Sequence, residues 1–251
     1  ASLRPLLLED VRPGDVIMIK GSLGTRMGPL VEALKQGLPN PQVLPAVNGR
    51  AMSAEECAEC YQPGLLSPRY PFAASPGEIG CFLSHRAAWA KIAASEDVAG
   101  LVAEDDVILD PGFESALALV TSAARPDRLI RLPMSNKEEV AKVVAERDGV
   151  QLFRPRVVGL TAALQVIGRD AAARLLALTE RFDRPVDTFQ QMTWLTGIET
   201  LTISPSPAHT EAAKSGGSTI QSHLRLRDEL TRSWRRSRYR AAVARLSRGT
   251  P

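Results

Sequence analysis

The 251-residue sequence has no apolar run approaching the roughly 20 residues needed to span a bilayer. Its opening, ASLRPLLLEDVRPGD, lacks the basic start and long apolar core of a secretory signal. Both absences set the expectation of a cytoplasmic protein. Cysteine is scarce. Three residues are an odd number and too few for a disulfide scaffold. Cys57 and Cys60 form CAEC without the second pair that a zinc site would need. Free thiols are the simpler reading, with a redox or metal role as the minority one. The glycine-rich GSLGTRMG at 21–28 lacks the GKS or GKT ending of a P-loop. No segment repeats, and the body holds no RNA-binding motif, so no nucleic-acid partner is expected.

What is present suits one large α/β domain, or one domain with appendages: 44% hydrophobic and 24% charged residues. The net charge of +3 is unevenly spread. Residues 224–251 hold nine Arg against one Asp and one Glu, a net of +7, which leaves −4 for the rest.

Strand candidates are GDVIMIK (14–20), QVLPAV (42–47), residues 99–103, LIRL (129–132), the apolar run VVGLTAALQVI (157–167) and ETLTI (199–203). The Asn48-Gly49 pair closes the second strand as a turn. Helices are expected from Pro29 to about Lys35 and from about Ile79 to Ala94, and over EEVAKVVAER (138–147), RDAAARLLALTERF and DTFQQMTWLTG. Asp110-Pro111 reads as a cap with Pro in the first turn of another helix. Strands alternating with helices predict a mixed or mostly parallel sheet.

The chemistry centres on LVAEDDVIL (101–109), where a buried strand ends in Glu104, Asp105 and Asp106. Ligands of open α/β sheets bind beyond the carboxyl ends of strands. Carboxylates there suit a hard divalent ion, Mg²⁺ or Mn²⁺, shared with substrate phosphates. A solvated strand end is the bland alternative. A glycosidase would need two carboxyls about 5–9 Å apart across a sugar. Adjacent strand residues face opposite ways, so the triplet alone does not supply that pair.

The blocks around the triplet carry a resemblance. GEIGCFLSHRAAWAKI followed by LVAEDDVIL, with LPAVNGR (44–50) before, and GLTAALQVIGRDAAARLL (159–176), PVDTF (185–189) and GGSTI (216–220) after, resembles glycosyltransferase family 25. That family contains bacterial lipopolysaccharide and lipooligosaccharide sugar transferases and collagen galactosyltransferases. The resemblance implies a GT-A-like fold: a Rossmann-like mixed sheet flanked by helices, here followed by a basic C-terminal helix. It implies a glycosyltransferase domain over 37–222, between a strand-turn-helix at 1–36 and a basic amphipathic tail at 223–251.

The implied reaction moves a hexose, commonly galactose, from a UDP-sugar with inversion, using Mn²⁺ or Mg²⁺. The acceptor would be a glycan or a lipid-linked oligosaccharide. The triplet then resembles a DXD-type motif, with Asp106 as the metal ligand. Glu104 would contact ribose or order water at the metal, and Asp105 would assist either. An inverting transfer needs a general base. Asp187 in PVDTF is the candidate, with a plain helix N-cap as the equal alternative. Ser84 and His85 would meet the donor, His85 being otherwise a structural histidine. Glu78 would bind acceptor or sugar, or cap its helix. His209 would complete the metal shell, or lie on the surface.

The N-terminus departs from the family pattern. VIMIKGSLGTRMGPLVEAL stands where members usually carry an Arg-bearing loop, so Arg26 becomes the candidate for uridine or phosphate. The same stretch, extended back to Arg12, resembles the carboxy-terminal end of the Mur ligase that adds D-alanyl-D-alanine to UDP-muramoyl-tripeptide. In the tail, Leu224, Leu226, Leu230, Trp234 and Tyr239 punctuate the arginines. This reads as a basic amphipathic helix for an anionic surface, peripheral on the inner face of the inner membrane, or as a solvated tail. Two other function classes stay open: a non-catalytic sugar-nucleotide or glycan-binding protein, and a metal-dependent nucleotide-sugar hydrolase.

Overall fold

A computed structural model describes residues 16–21, 42–210 and 226–248. The expected helix at 29–35, Arg26 and the GGSTI block lie outside those residues. Ten strands and seven α-helices form in the described part. Eight strands make one sheet in the order β2-β1-β3-β8-β5-β9-β7-β6. They are β1 Val16–Gly21, β2 Gln42–Pro45, β3 Ala99–Glu104, β5 Arg128–Arg131, β6 Val140–Arg147, β7 Val150–Pro155, β8 Leu164–Gly168 and β9 Glu199–Ser204. β2, β1 and β3 run parallel, as do β5 and β9. β8 lies antiparallel between β3 and β5. The sheet is therefore mixed, as the alternating pattern predicts.

Each face of the sheet has its own core. On β3, Leu101 and Ala103 join one core and Val102 the other, as the two-residue period of a strand dictates. α3 (Phe113–Ala123) covers the first face. α2 (Pro76–Ala94) and α4 (Arg169–Leu178) cover the second, around Trp89, Phe82 and Phe182. The rings of Phe82 and Phe182 stack at 3.9 Å. The short α1 (Ala54–Cys60), α5 (Val186–Gln190) and α6 (Thr193–Thr196) fill connections.

Three local expectations need correction. EEVAKVVAER is not helical: Val140–Arg147 is an exposed edge strand hairpinned to β7. Asp148 and Gly149 both take positive φ, 51° and 77°, the geometry of a tight two-residue hairpin turn. The β-branched Val140, Val143 and Val144 suit that strand. DTFQQMTWLTG splits into α5 and α6. Asp110 does not cap α3. Gly112, at φ 113°, holds that position.

Two glycines permit a close approach that positions the site. The backbone at 47–49 lies against the first turns of α2. A Cβ on Gly80 would sit 2.5 Å from the Val47 carbonyl oxygen, and one on Gly49 1.8 Å from that of Pro76. Ser84 fastens the same junction. Its buried hydroxyl donates to the Gly80 carbonyl (2.7 Å) and accepts from the Val47 amide (2.9 Å).

α7 (Leu226–Ser247) is the helix expected of the basic tail. Its apolar side turns onto the protein: Tyr239 and Val243 are buried, whereas Trp234 stays 59% exposed. The Tyr239 hydroxyl accepts from the buried Arg184 guanidinium at 2.9 Å. Arg184 also pairs with Asp183 at 2.6 Å, both side chains fully buried. Asp183 accepts from the Leu66 amide, and Arg184 donates to the Leu66 and Pro68 carbonyls. One ion pair thus ties the 66–68 loop and α7 to the body. No described helix is long and apolar enough to cross a membrane.

Candidate active site at the end of strand β3

β3 ends at Glu104, and Asp105 and Asp106 form a turn before β4 (Val107–Leu109). The strand geometry that would place Glu104 and Asp106 on one face therefore stops at Glu104. The three carboxylates are half-buried at the carboxyl end of β3, between the apolar Ala103 and Val107.

Glu104 is held from α2. Its Oε1 lies 2.9 Å from Nε2 of the fully buried His85. The Cys81 thiol, one helical turn before His85, points at the same oxygen at 3.8 Å. Burial opposes a charge on the imidazole, but bonds to Cys81 and Glu104 and the Glu104 charge outweigh it and raise its pKa. Nδ1 of His85 has no partner among the described residues. His85 therefore serves Glu104 directly, and Ser84 serves the backbone junction instead of a ligand.

Asp187 lies in the first turn of α5, two residues after the cap position held by Pro185. The N-cap alternative therefore fails. The helix terminus favours a carboxylate there. Its Oδ1 accepts from the Thr188 amide (2.6 Å) and hydroxyl (3.2 Å). Burial still pushes the carboxyl above its ordinary range, against the Thr188 bonds and the Arg131 charge, and Glu104 adds to the rise. Glu104 and Asp187, 83 positions apart in sequence numbering, thus feel one another. Arg131 is itself buried, bonded to Glu138 at 2.6 Å and to the Thr161 carbonyl.

Glu78 takes the capping alternative. It forms a reciprocal capping box with Ser75 at the start of α2. Its charge also reaches Tyr70. Burial pushes that phenol up to about 12, with Glu78 and Asp187 contributing. His209 is on β10 (Ala208–Thr210), paired with β4 opposite Ile108. Its Nδ1 meets Asp110 Oδ1 at 2.9 Å, and Nε2 is buried without a partner among the described residues. It does not join the Cys81–His85–Glu104 group, whose ligand atoms all lie within 4.8 Å of one another.

Among the described residues one group of three ligand side chains is gathered closely enough to hold an ion. Cys81, His85 and Glu104 offer sulfur, nitrogen and oxygen, a set suited to zinc. The existing His85–Glu104 bond already occupies that set. The carboxylates of the turn are of the type that suits Mn²⁺ or Mg²⁺, but with His209 they form no group of three ligand atoms within 4.8 Å of one another. Asp110 on Nδ1 of His209 is the arrangement that orients a metal-binding histidine.

Sequence reasoning missed Cys81, Tyr70, Arg131 and Asp110. The spacing of Cys81 and His85, one turn apart on a helix, was a usable signal. Tyr70 in an irregular loop and Asp110 across a strand pair carried none.

The class defined by these features is a mixed α/β protein with carboxylates gathered at the carboxyl edge of its sheet. The family model described as glycosyltransferase family 25 (LPS biosynthesis protein) matches residues 32–190, more than half of the chain. The chain belongs to that family. Among its relatives is a glycosyltransferase 25 family member of Drosophila pseudoobscura pseudoobscura, 29% identical over 60% of this chain and 26% of that protein. Human procollagen galactosyltransferase 2 is 34% identical over 55% of this chain and 25% of its own length. Mouse inactive glycosyltransferase 25 family member 3 is 27% identical over 67% and 32%. The chain thus spans about a quarter to a third of these relatives. Among solved structures, the inositol-1-phosphate CTP transferase from T. maritima aligns at TM-score 0.38 and 9% identity, over 76% of this chain and 85% of that one. A likeness that slight carries no argument.

Proposed function

We propose that this chain is a metal-dependent, inverting hexosyltransferase domain of GT-A type. It moves galactose from a UDP-sugar to a hydroxyl of a glycan, of lipopolysaccharide type or lipid-linked. One observation supports this most: three sequence blocks converge on one place. His85 of the GEIGC…SH block bonds Glu104 of the acid triplet, and α2, which carries His85, packs against α5, which carries Asp187 of PVDTF.

In this reading Asp187, as the carboxylate, takes the proton of the acceptor hydroxyl. The acceptor oxygen bonds to the anomeric carbon from the face opposite the UDP, whose glycosidic oxygen leaves with the bonding electrons. Asp106, with Asp105 or Glu104, would hold the ion, which when bound neutralises charge on the diphosphate. Glu104, kept in place by His85, orients the donor. Arg131 opposes the rise that burial gives the Asp187 carboxyl.

The relative described as inactive motivates a second reading, a domain that binds sugar nucleotide or glycan without turnover. Incubation with Mn²⁺, a panel of UDP-hexoses and a panel of glycan acceptors separates the two. Acceptor-dependent UDP release with a new inverted linkage supports the transferase. Donor binding with no product across the panel supports the binding protein. Sugar release without acceptor dependence marks a hydrolase.

A further inference from the structure

A groove of about 1360 Å³ runs between α7 and the β6–β7 hairpin. Tyr70, Thr161 and Thr188 belong to its lining, and Glu104, Asp105 and Asp106 do not. Asp187 does not line it either, but its neighbour Thr188 does, and Thr188 bonds Asp187 through both its amide and its hydroxyl.

The lining is strongly cationic, with seven basic side chains against three acidic ones. Each acid is already paired. Glu138 meets Arg131 (2.6 Å), Glu139 meets Arg156 (3.6 Å), and Glu199 meets Arg128 and Arg154 (2.6 and 3.1 Å). Lys137, Lys142, Arg240 and Arg248 have no acidic partner among the described residues. Arg236 lies over the Phe72 ring at 5.7 Å, its charge likewise unneutralised. Arg236 and Arg240, four apart on α7, share one helix face, and Arg248 follows directly after the helix end.

We propose that this groove seats the acceptor, and that the acceptor is an anionic glycan bearing phosphate or carboxylate groups. The proposal rests on the transferase reading above. Cations facing each other across a concave, partly apolar cleft focus a positive field into it. Guanidinium groups match phosphate and carboxylate in planar, bidentate fashion. Tyr70, Phe72 and Tyr239 add aromatic surface for sugar rings. A flat bilayer would meet one wall at a time, whereas Lys142 and Arg240 stand on two different walls. An anionic sugar chain lying between them brings a hydroxyl toward Thr188 and Asp187, with the donor beyond.

The test is binding of the full chain to an array of neutral, phosphorylated and uronate-bearing oligosaccharides, alongside titration with UDP and Mn²⁺. The expected result is selective capture of anionic glycans that weakens with added salt. The phosphorylated and uronate arms show which anion is preferred. Arg236→Glu with Arg240→Glu lowers that affinity by about tenfold or more while the UDP affinity holds. Lys142→Glu, on an exposed strand of the other wall, has the same effect and carries the test if the double variant melts early. Equal capture of neutral glycans, no glycan capture at all, or a parallel loss of UDP binding overturns the proposal. So does charge-dependent capture of phosphatidylglycerol vesicles without glycan binding. Failure of the wild-type chain to bind UDP with Mn²⁺ counts against the transferase reading instead, whatever the array shows.

Discussion

Nε2 of His85 stands 2.9 Å from Oε1 of Glu104, joining the middle of α2 to the end of β3. Behind it the imidazole is fully buried against Trp89. The first acid of the triplet is thus held in place by a helix, and the turn that follows starts from a fixed point. Replacing His85 by Leu removes that bond with similar bulk. Donor kcat/KM should fall by about 10- to 100-fold, the usual cost of losing an orienting partner at such a site. His85→Gln, which can still donate to Glu104, should recover most of the loss. Equal activity in the Leu variant would show that Glu104 needs no support.

Asp187 yields a pH prediction. Its carboxyl is raised by burial, and a general base works only when ionised. Activity should therefore fall as pH drops through a value above the ordinary carboxylate range, giving a displaced acid limb. Asp187→Asn should lower kcat by about 10²- to 10⁴-fold with little change in donor KM. Stability runs the other way. A raised folded-state pKa contributes stability below the unfolded value, and this is lost as pH rises through the folded value. At neutral pH the Asn variant should be at least as stable as wild type by urea denaturation. An Asn variant with intact turnover would remove Asp187 from the chemistry.

The Asp183–Arg184 pair supports a stability prediction away from the chemistry. Asp183→Ala strands a fully buried guanidinium. Losing one member of such a pair costs about 3–5 kcal/mol. Because Arg184 also holds Tyr239, α7 should become sensitive to limited proteolysis at the same time. A change under 1 kcal/mol in urea unfolding would contradict this account of how the tail is held.

Gly80→Ala drives a methyl group against the backbone at Val47 and Gly49, which cannot swing aside as a side chain would. Overpacking of this kind costs about 1–3 kcal/mol. The same variant should also loosen the fit of α2, and with it the His85 contact to Glu104. Thermal melting and donor kinetics on one preparation test both effects.

Much of the sheet was legible, because strands such as LVA at 101–103 are continuously apolar and are buried on both faces in the structure. Helix α2 was visible through its apolar spacing and the block around it. The edge strand β6 reads as a helix in sequence because Glu, Ala, Lys and Arg are seven of the ten residues of EEVAKVVAER. The Asp148-Gly149 turn that settles its state was available in the sequence. At the site, each candidate carboxylate was named, yet their roles were only separable in three dimensions. Glu78 closes a capping box, and Asp187 does not cap its helix at all. Partners such as Asp110 for His209 come from strand pairing across 99 positions of sequence, which no local pattern reports. The basic tail was seen as a helix, but the buried Arg184 that receives Tyr239 was not.

The central claim is tested most directly by product analysis of transfer from UDP-galactose to an acceptor panel, with and without Mn²⁺, in the wild type and in Asp106→Asn. The account predicts acceptor-dependent, Mn²⁺-dependent galactose transfer with an inverted linkage in the wild type. In Asp106→Asn it predicts loss of that transfer with the fold intact. Full metal-dependent transfer by Asp106→Asn would contradict it.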